Sequence, residues 1–259
     1  MKLSSIIAVR HRTTGGFSVE ARNYFNRLDT AGDTTYTIYK QPLANYIDSL
    51  VSLGGSYWDT MESAASFVGV GIQGVTVPLR DGMPSITNNN FVAGDLNQLT
   101  GLKGDASTKY LSTGINAISL SQNDTSISTY VTAPTASFSY MAGAEGTYSP
   151  QLSLVSTGTA TRADVFTGST LTDFGTTLGA GLLGVSRSNS ADQDQRSNQT
   201  NYPQTIASVT PQSAALAIFS YSGSYLTAAR LATYHVGTAL NLTTLEGLQA
   251  TLILEIAAI

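Results

Sequence analysis

Cysteine is absent from this chain of 259 residues. Disulfide scaffolds, thiolate metal sites and cysteine nucleophiles are therefore excluded, and stability has to come from packing and from partner subunits. Charge is sparse: Asp, Glu, Lys and Arg together make 12% of the residues, about half the share of an ordinary soluble domain. The 13 basic residues form no run and are outnumbered by 17 acidic ones, for a net charge of −4. That balance gives no footprint for nucleic acid or for an anionic membrane surface. Long apolar runs are missing too. The stretch Leu3 to Val9 is interrupted by Ser4 and Ser5 and followed at once by Arg10, His11 and Arg12, which suits neither an export signal nor membrane insertion. Residues 1–16 are expected instead to form an arm laid against a neighbouring subunit.

In place of charge the chain has Ser, Thr, Gly, Ala and Asn, with 13 tyrosines. Thr and Tyr fit a pleated, half-buried surface, while Gly, Asn and Ser supply the turns between strands. Residues 17–74 read differently, as a helical docking unit. Val19, Tyr24, Phe25 and Leu28 fall close to a helical period behind Ser18, a capping residue ahead of Glu20. Leu43, Ile47, Leu50 and Val51 recur at three and four residues, with Pro42 in a first turn that tolerates it, and this second helix is expected to stop at Gly54-Gly55. Trp58 to Val68 reads as a short third helix.

Residues 75–259 carry short β-type runs every eight to twelve residues. The runs are Tyr110–Leu111, Ser126–Val131, Ser137–Met141, Gln151–Val155, Ala163–Phe166, Gly181–Val185, Ala214–Tyr221 and Arg230–Val236. Such spacing points to a sandwich or barrel. Alternation in Ser126-Ile-Ser-Thr-Tyr-Val131 puts one face in a core and the other in water, which favours two packed sheets. Leu242, Leu245, Leu248 and Leu252 predict a closing helix. The Ser-, Asn- and Gln-rich stretch 186–201 reads as a long exposed loop.

The stretches Val77-Pro-Leu-Arg-Asp-Gly-Met-Pro-Ser-Ile-Thr-Asn-Asn-Asn-Phe-Val-Ala-Gly-Asp95 and Thr100-Gly-Leu-Lys-Gly-Asp-Ala-Ser-Thr-Lys-Tyr-Leu111 resemble a family of tailed-bacteriophage virion structural proteins. The closing run Ala232-Thr-Tyr-His-Val-Gly-Thr-Ala-Leu-Asn-Leu-Thr-Thr-Leu-Glu246 resembles the last strand and terminal helix of the same family. The resemblance covers residues 18 to 259. It implies a mainly β fold: a concanavalin-A-like or laminin-G-like jelly-roll β-sandwich, preceded by a small N-terminal helical unit and closed by a C-terminal helix. It also implies a place on the outer surface of the virion, as a tail or fibre component or as capsid decoration. Partners would be other virion proteins and further copies of the chain, with a trimer the natural assembly. Fold does not fix function, so host-surface glycans are a further class of partner.

A glycoside hydrolase needs two carboxylates flanking one bond. The five glutamates, at 20, 62, 145, 246 and 255, are scattered, so no catalytic residue is assigned and the chain is read as a non-enzyme. His235 reads as a structural, hydrogen-bonded histidine. No cofactor is expected, and no transition-metal set exists. Calcium, which takes oxygen ligands, has one candidate cluster in Asp192, Asp194 and Asn189 or Asn198. Glycan binding asks for an aromatic face and a few planar polar groups. The candidates are Asn189, Asp192, Asp194, Arg196, Asn198 and Tyr202, with Tyr221 and Tyr225 around Gly223. The alternatives to a structural virion role are thus a receptor-recognition lectin and, behind it, a glycoside hydrolase.

Overall fold

The computed structural model describes residues 16–53, 57–145, 150–167 and 177–259. The N-terminal arm up to residue 15 and the Gly54-Gly55 stop lie outside the described residues. The helices are α1 (Val19–Thr30), α2 (Lys40–Ser52) and α3 (Leu242–Ala257). The strands of the first half are β1 (Met61–Ser66), β2 (Thr87–Asn89), β3 (Leu96–Asn97), β4 (Gly101–Lys103), β5 (Tyr110–Asn116), β6 (Thr125–Ala133) and β7 (Phe138–Glu145). Those of the second half are β8 (Pro150–Thr157), β9 (Thr161–Val165), β10 (Gly181–Arg187), β11 (Asp192–Ser197), β12 (Thr200–Thr205), β13 (Ala215–Ile218) and β14 (Arg230–Gly237).

They form two antiparallel sheets, a mainly β sandwich with helices at both ends of the chain. The first sheet runs β12-β11-β10-β6-β14-β4-β3, with β1 also paired to β14; the second runs β2-β5-β13-β7-β8-β9. Every expected β run is part of a strand or directly adjoins one. A single apolar cluster fills the space between the sheets and continues under the helices, from Tyr24 and Leu28 through Ile47, Phe67 and Phe219 to Leu252.

The helix starts follow from local chemistry. Ser18 accepts a hydrogen bond from the Ala21 amide at 3.1 Å, and Asn241 accepts from Thr244 at 2.9 Å, each meeting one of the amides that a helix start leaves unpaired. α1 and α2 bury the predicted stripes: Tyr24, Phe25 and Leu28 on one, Leu43, Ile47 and Leu50 on the other.

Three expectations are corrected. The segment read as a third helix holds β1, which pairs with β14 from Met61↔Gly237 to Ser66↔Thr233. Its small residues are buried on both faces, a pattern that periodicity alone cannot assign to helix or strand. Residues 17–74 therefore contribute a strand to the sheet as well as two α-helices. The alternation in β6 does not leave a wet face: Ser126 and Ser128 are as buried as Ile127 and Thr129, because helices cover the outside of this sheet. Finally, residues 192–205 form the β11–β12 hairpin in place of a loop. Asn198 and Gln199, at φ 51° and 64°, make the two-residue connection with positive φ that suits a twisted hairpin.

The free edges are dealt with by side chains. β9 ends the second sheet, yet its outward backbone groups are taken: Gln193 accepts from Val165 N, Gln195 donates to Ala163 O, and Arg187 Nε donates to Val165 O. At β12, the edge of the first sheet, Pro203 withholds a backbone donor. Both devices obstruct the addition of a foreign strand.

Candidate functional site

The residues expected to form one glycan or calcium site are divided among five places. Asp192, Asp194 and Arg196 alternate along β11 and so share its outer face. Asp192 and Asp194 are exposed and line, with Asn189, Pro203 and Thr205, a shallow open depression of about 480 Å³. Asn189 spends its Oδ1 on the amides of Ala191 and Asp192, at 2.7 and 2.8 Å. Arg196 is committed elsewhere: it is buried and paired to Glu246 of α3 at 2.5 Å, with Asn201 as a second partner. Asn198 sits in the hairpin turn and donates to Thr177 O, six residues and about 20 Å of strand from Asp192. Tyr202 is opposite Gln195, so it points to the other face from the aspartates and packs on the core.

Of the oxygen cluster considered for calcium, Asp192, Asp194 and Asn189 share this depression, with Asn189 Oδ1 already taken by two amides, and Asn198 lies apart. Among the described residues no three His, Cys, Asp or Glu side chains converge. The depression also has no aromatic lining residue, which leaves a sugar ring nothing to stack on.

The remaining pair, Tyr221 and Tyr225, belongs to a different surface and brings in two residues that sequence reasoning passed over, Phe138 and Tyr140. Tyr140 and Tyr221 stack at 4.5 Å with planes 25° apart, and Tyr225 lies 6.0 Å from Tyr140 and 6.5 Å from Tyr221. Phe138 meets Tyr140 and Tyr225 edge-on at 5.7 and 5.9 Å. Tyr140, Tyr221 and Val155 form an apolar cluster separate from the main core, on the outer side of the second sheet.

Each ring is held by a backbone feature. Phe138 and Tyr140 are two residues apart on β7 and share a face. Tyr221 and Ser224 exchange backbone hydrogen bonds at 2.8 Å in each direction, closing a tight turn. Phe219, Ser222 and Tyr225 take φ of 69°, 48° and 48°, left-handed values that cost non-glycine residues free energy and cluster at functional sites. The Tyr140 amide donates to the Tyr225 carbonyl at 3.1 Å, fixing the loop to the strand. Gly143 provides the room: a Cβ there would stand 2.6 Å from Tyr221 Cδ2.

The outcome is a ledge with a rigid base and an exposed rim. Tyr140 and Tyr221 keep 7% and 5% of their surface, whereas Phe138 and Tyr225 keep 49% and 60%. The signal for the missed pair was in the sequence as two aromatics at strand spacing. Nothing local showed that the loop would fold back over them.

Two buried titratable groups lie away from the ledge. His235 on β14 meets Tyr46 of α2 through Nε2 at 2.6 Å, and Tyr57 lies 3.5 Å from Nδ1. Burial lowers its pKa to about 3, so it is a neutral structural histidine, as expected. Asp164 on β9 is fully enclosed. Its Oδ1 accepts from Gln193 and Thr167, its Oδ2 has no partner, and burial raises its pKa to about 7.

No protein-family model matches the chain, and no curated protein matches it in sequence. Solved structures match in fold. A Trypanosoma rangeli sialidase in complex with sialic acid aligns at 11% identity and a TM-score of 0.54, over 82% of this chain and 38% of that one. A structure of botulinum neurotoxin type C, whose cell entry depends on interaction with two ganglioside molecules, aligns at 7% identity and a TM-score of 0.55. That match covers 76% of this chain and 52% of the toxin chain. The chain thus spans about half, or less, of the proteins it resembles. They carry the β-sandwich part of the resemblance read at 77–111 and 232–246, and nothing of its virion part.

Proposed function

We propose that this chain is a non-catalytic adhesion module that binds glycans through the aromatic ledge, displayed as a homo-oligomer on the outside of a tailed-phage particle. The ledge is the observation that carries this reading. Sugar rings present C–H faces that pack on aromatic rings, and a prepared, rigid aromatic surface spends little entropy on binding. Phe138 and Tyr225 offer such a surface, and Tyr140 and Tyr221 hold it in place. Sandwiches of this fold occur in proteins seen with sialic acid or dependent on gangliosides, which supports the reading at the level of fold.

Absence of catalysis is part of the proposal. The ledge is made of Phe and Tyr. Asp164, whose pKa burial raises to about 7, is enclosed beside Gln193, Thr167 and Arg187, with no second carboxylate among its described hydrogen-bond partners. The virion setting rests on the sequence resemblance. Assembly with other virion proteins, and with copies of itself as a trimer, follows from that setting and from the low surface charge.

The test is a glycan array probed with the wild-type chain and with Tyr225→Ala. Saturable binding to a subset of glycans, weakened about 5-fold by the substitution, is the expected result; one stacked ring is worth about 1 kcal/mol. A blank array, with the ledge found buried between copies on imaged particles, would replace adhesion by assembly. Absence of the protein from purified particles would remove the virion setting.

A further inference from the structure

A second cleft, of about 230 Å³, lies between α1, the turn that leads into β1 and the loop 78–81. Trp58, the only tryptophan of the chain, lines it with Arg27 and Arg80. Glu20, Asn23 and Arg27 follow one another at steps of three and four residues on one face of α1, and Asp59 and Asp81 complete the wall.

The two arginines are anchored but not satisfied. Arg27 donates through Nη2 to the carbonyls of Pro78 and Leu79, at 3.2 and 2.8 Å. Arg80 donates through Nη2 to Met61 O at 2.7 Å and through Nη1 to Asp81 O at 3.2 Å. In both, the buried Nε has no hydrogen-bond partner. A buried donor without an acceptor is costly, and two occur here on neighbouring arginines. Their geometry is fixed by the bonds that are made, so the two guanidiniums that line the cleft are held in place.

The chemistry of the wall selects the ligand. Three carboxylates against two guanidiniums disfavour a simple anion, the anchored guanidiniums disfavour a cation, and an apolar group would leave every polar atom unpaired. A hydroxyl is both donor and acceptor, and a ring bearing several of them answers both signs. We infer that this cleft binds a neutral sugar ring, packed on the Trp58 indole, with hydroxyl oxygens accepting from Arg27 and Arg80 and hydroxyl hydrogens directed to Glu20, Asp59 and Asp81. Asn23 serves as donor or acceptor at the rim. The site is built on α1 and the segments flanking β1, independently of the ledge on β7, so its success or failure leaves the ledge reading untouched.

Because Trp58 is the sole indole, its fluorescence reports this cleft alone. The experiment titrates the full chain with glucose, galactose, mannose and N-acetylglucosamine, with glucuronate and inorganic phosphate as charged controls. The expected result is a saturable change in Trp58 emission with at least one neutral sugar. That response weakens about 10-fold in Arg27→Lys and in Asn23→Ala and is unchanged in Tyr225→Ala. Asn23 is exposed, so its variant keeps the test valid if Arg27→Lys destabilises the fold. Three results would overturn the inference: no saturable change with any of the four sugars, a change that Asn23→Ala leaves intact, or a stronger response to glucuronate or phosphate.

Discussion

The outer face of the first sheet and the outer face of the second are covered in different ways. On the first, polar side chains meet helices and are paired one by one: His235 with Tyr46, Thr233 with Gln249, and Arg196 with Glu246. On the second, Phe138, Tyr140 and Val155 meet a short loop whose own aromatics, Tyr221 and Tyr225, close over only part of the apolar surface. A polar face under helices favours pairing, since a buried polar group left alone is costly, although Ser128 Oγ and Gln249 Oε1 keep no partner. An apolar face under a loop tolerates partial cover, and Phe138 and Tyr225 stay exposed there. The first face is therefore closed by polar pairs and helices, and the second leaves apolar surface open.

The largest effect should come from breaking a pair on the covered face. Glu246→Ala leaves Arg196 buried without its counter-charge and is expected to cost about 3 to 5 kcal/mol in denaturant unfolding. Replacing both, as Arg196→Met with Glu246→Leu, should recover most of that loss; if the double variant is as unstable as the single one, the pairing account fails.

Asp164 gives the next effect. Burial raises its pKa from 3.8 to about 7, so the folded state holds its proton where the unfolded chain has released it. Its contribution is complete below pH 3.8 and is lost as pH rises through about 7. Asp164→Asn should remove this alkaline decline, worth about 2 to 4 kcal/mol, in a series of melting temperatures against pH. His235 works in the other direction. Its pKa falls from 6.5 to about 3, so its contribution is complete above 6.5 and drains as pH falls towards 3.

The ledge supplies the smaller effects on stability. Gly143→Ala pushes a methyl against Tyr221 and should cost about 1 to 3 kcal/mol while abolishing glycan capture. Tyr225→Ala should change stability by less than about 0.5 kcal/mol and still reduce capture, the separation expected of a contact residue. At the small end, Gln199→Gly relieves the positive φ of the hairpin and should stabilise it by about 0.5 kcal/mol. A loss of stability there would show that the Gln199 side chain has a role beyond the turn.

Much of the fold was legible. The caps at Ser18, the stripes of α1 and α2, the leucines of α3 and the strand spacing from Tyr110 onward are local signals, and local chemistry enforces them. β1 and the β11–β12 hairpin were not legible. Small residues and amides carry no periodic apolar signal, and what makes them strands is the partner: β14 for Met61 to Ser66, and the edge of β9 for Gln193 and Gln195. The candidate site divided in the same way. Tyr221 and Tyr225 were singled out because aromatics beside a turn stand out, whereas Asn189, Asp192, Asp194, Arg196, Asn198 and Tyr202 were grouped by nearness in the chain; strand alternation then turned Tyr202 to the other face, Arg196 was taken by Glu246, and Asn198 lies in the turn.

The sequence by itself determined the class of fold, the absence of thiol chemistry, and the positions of helices whose apolar stripes need burial wherever they pack. Only the tertiary structure decided which sheet face the helices cover, that Arg196 serves Glu246 and not a ligand, and that four aromatic rings meet in a ledge. The reason is physical: composition and periodicity are properties of one segment, while satisfying a buried charge or stacking a ring takes a second segment brought from far along the chain.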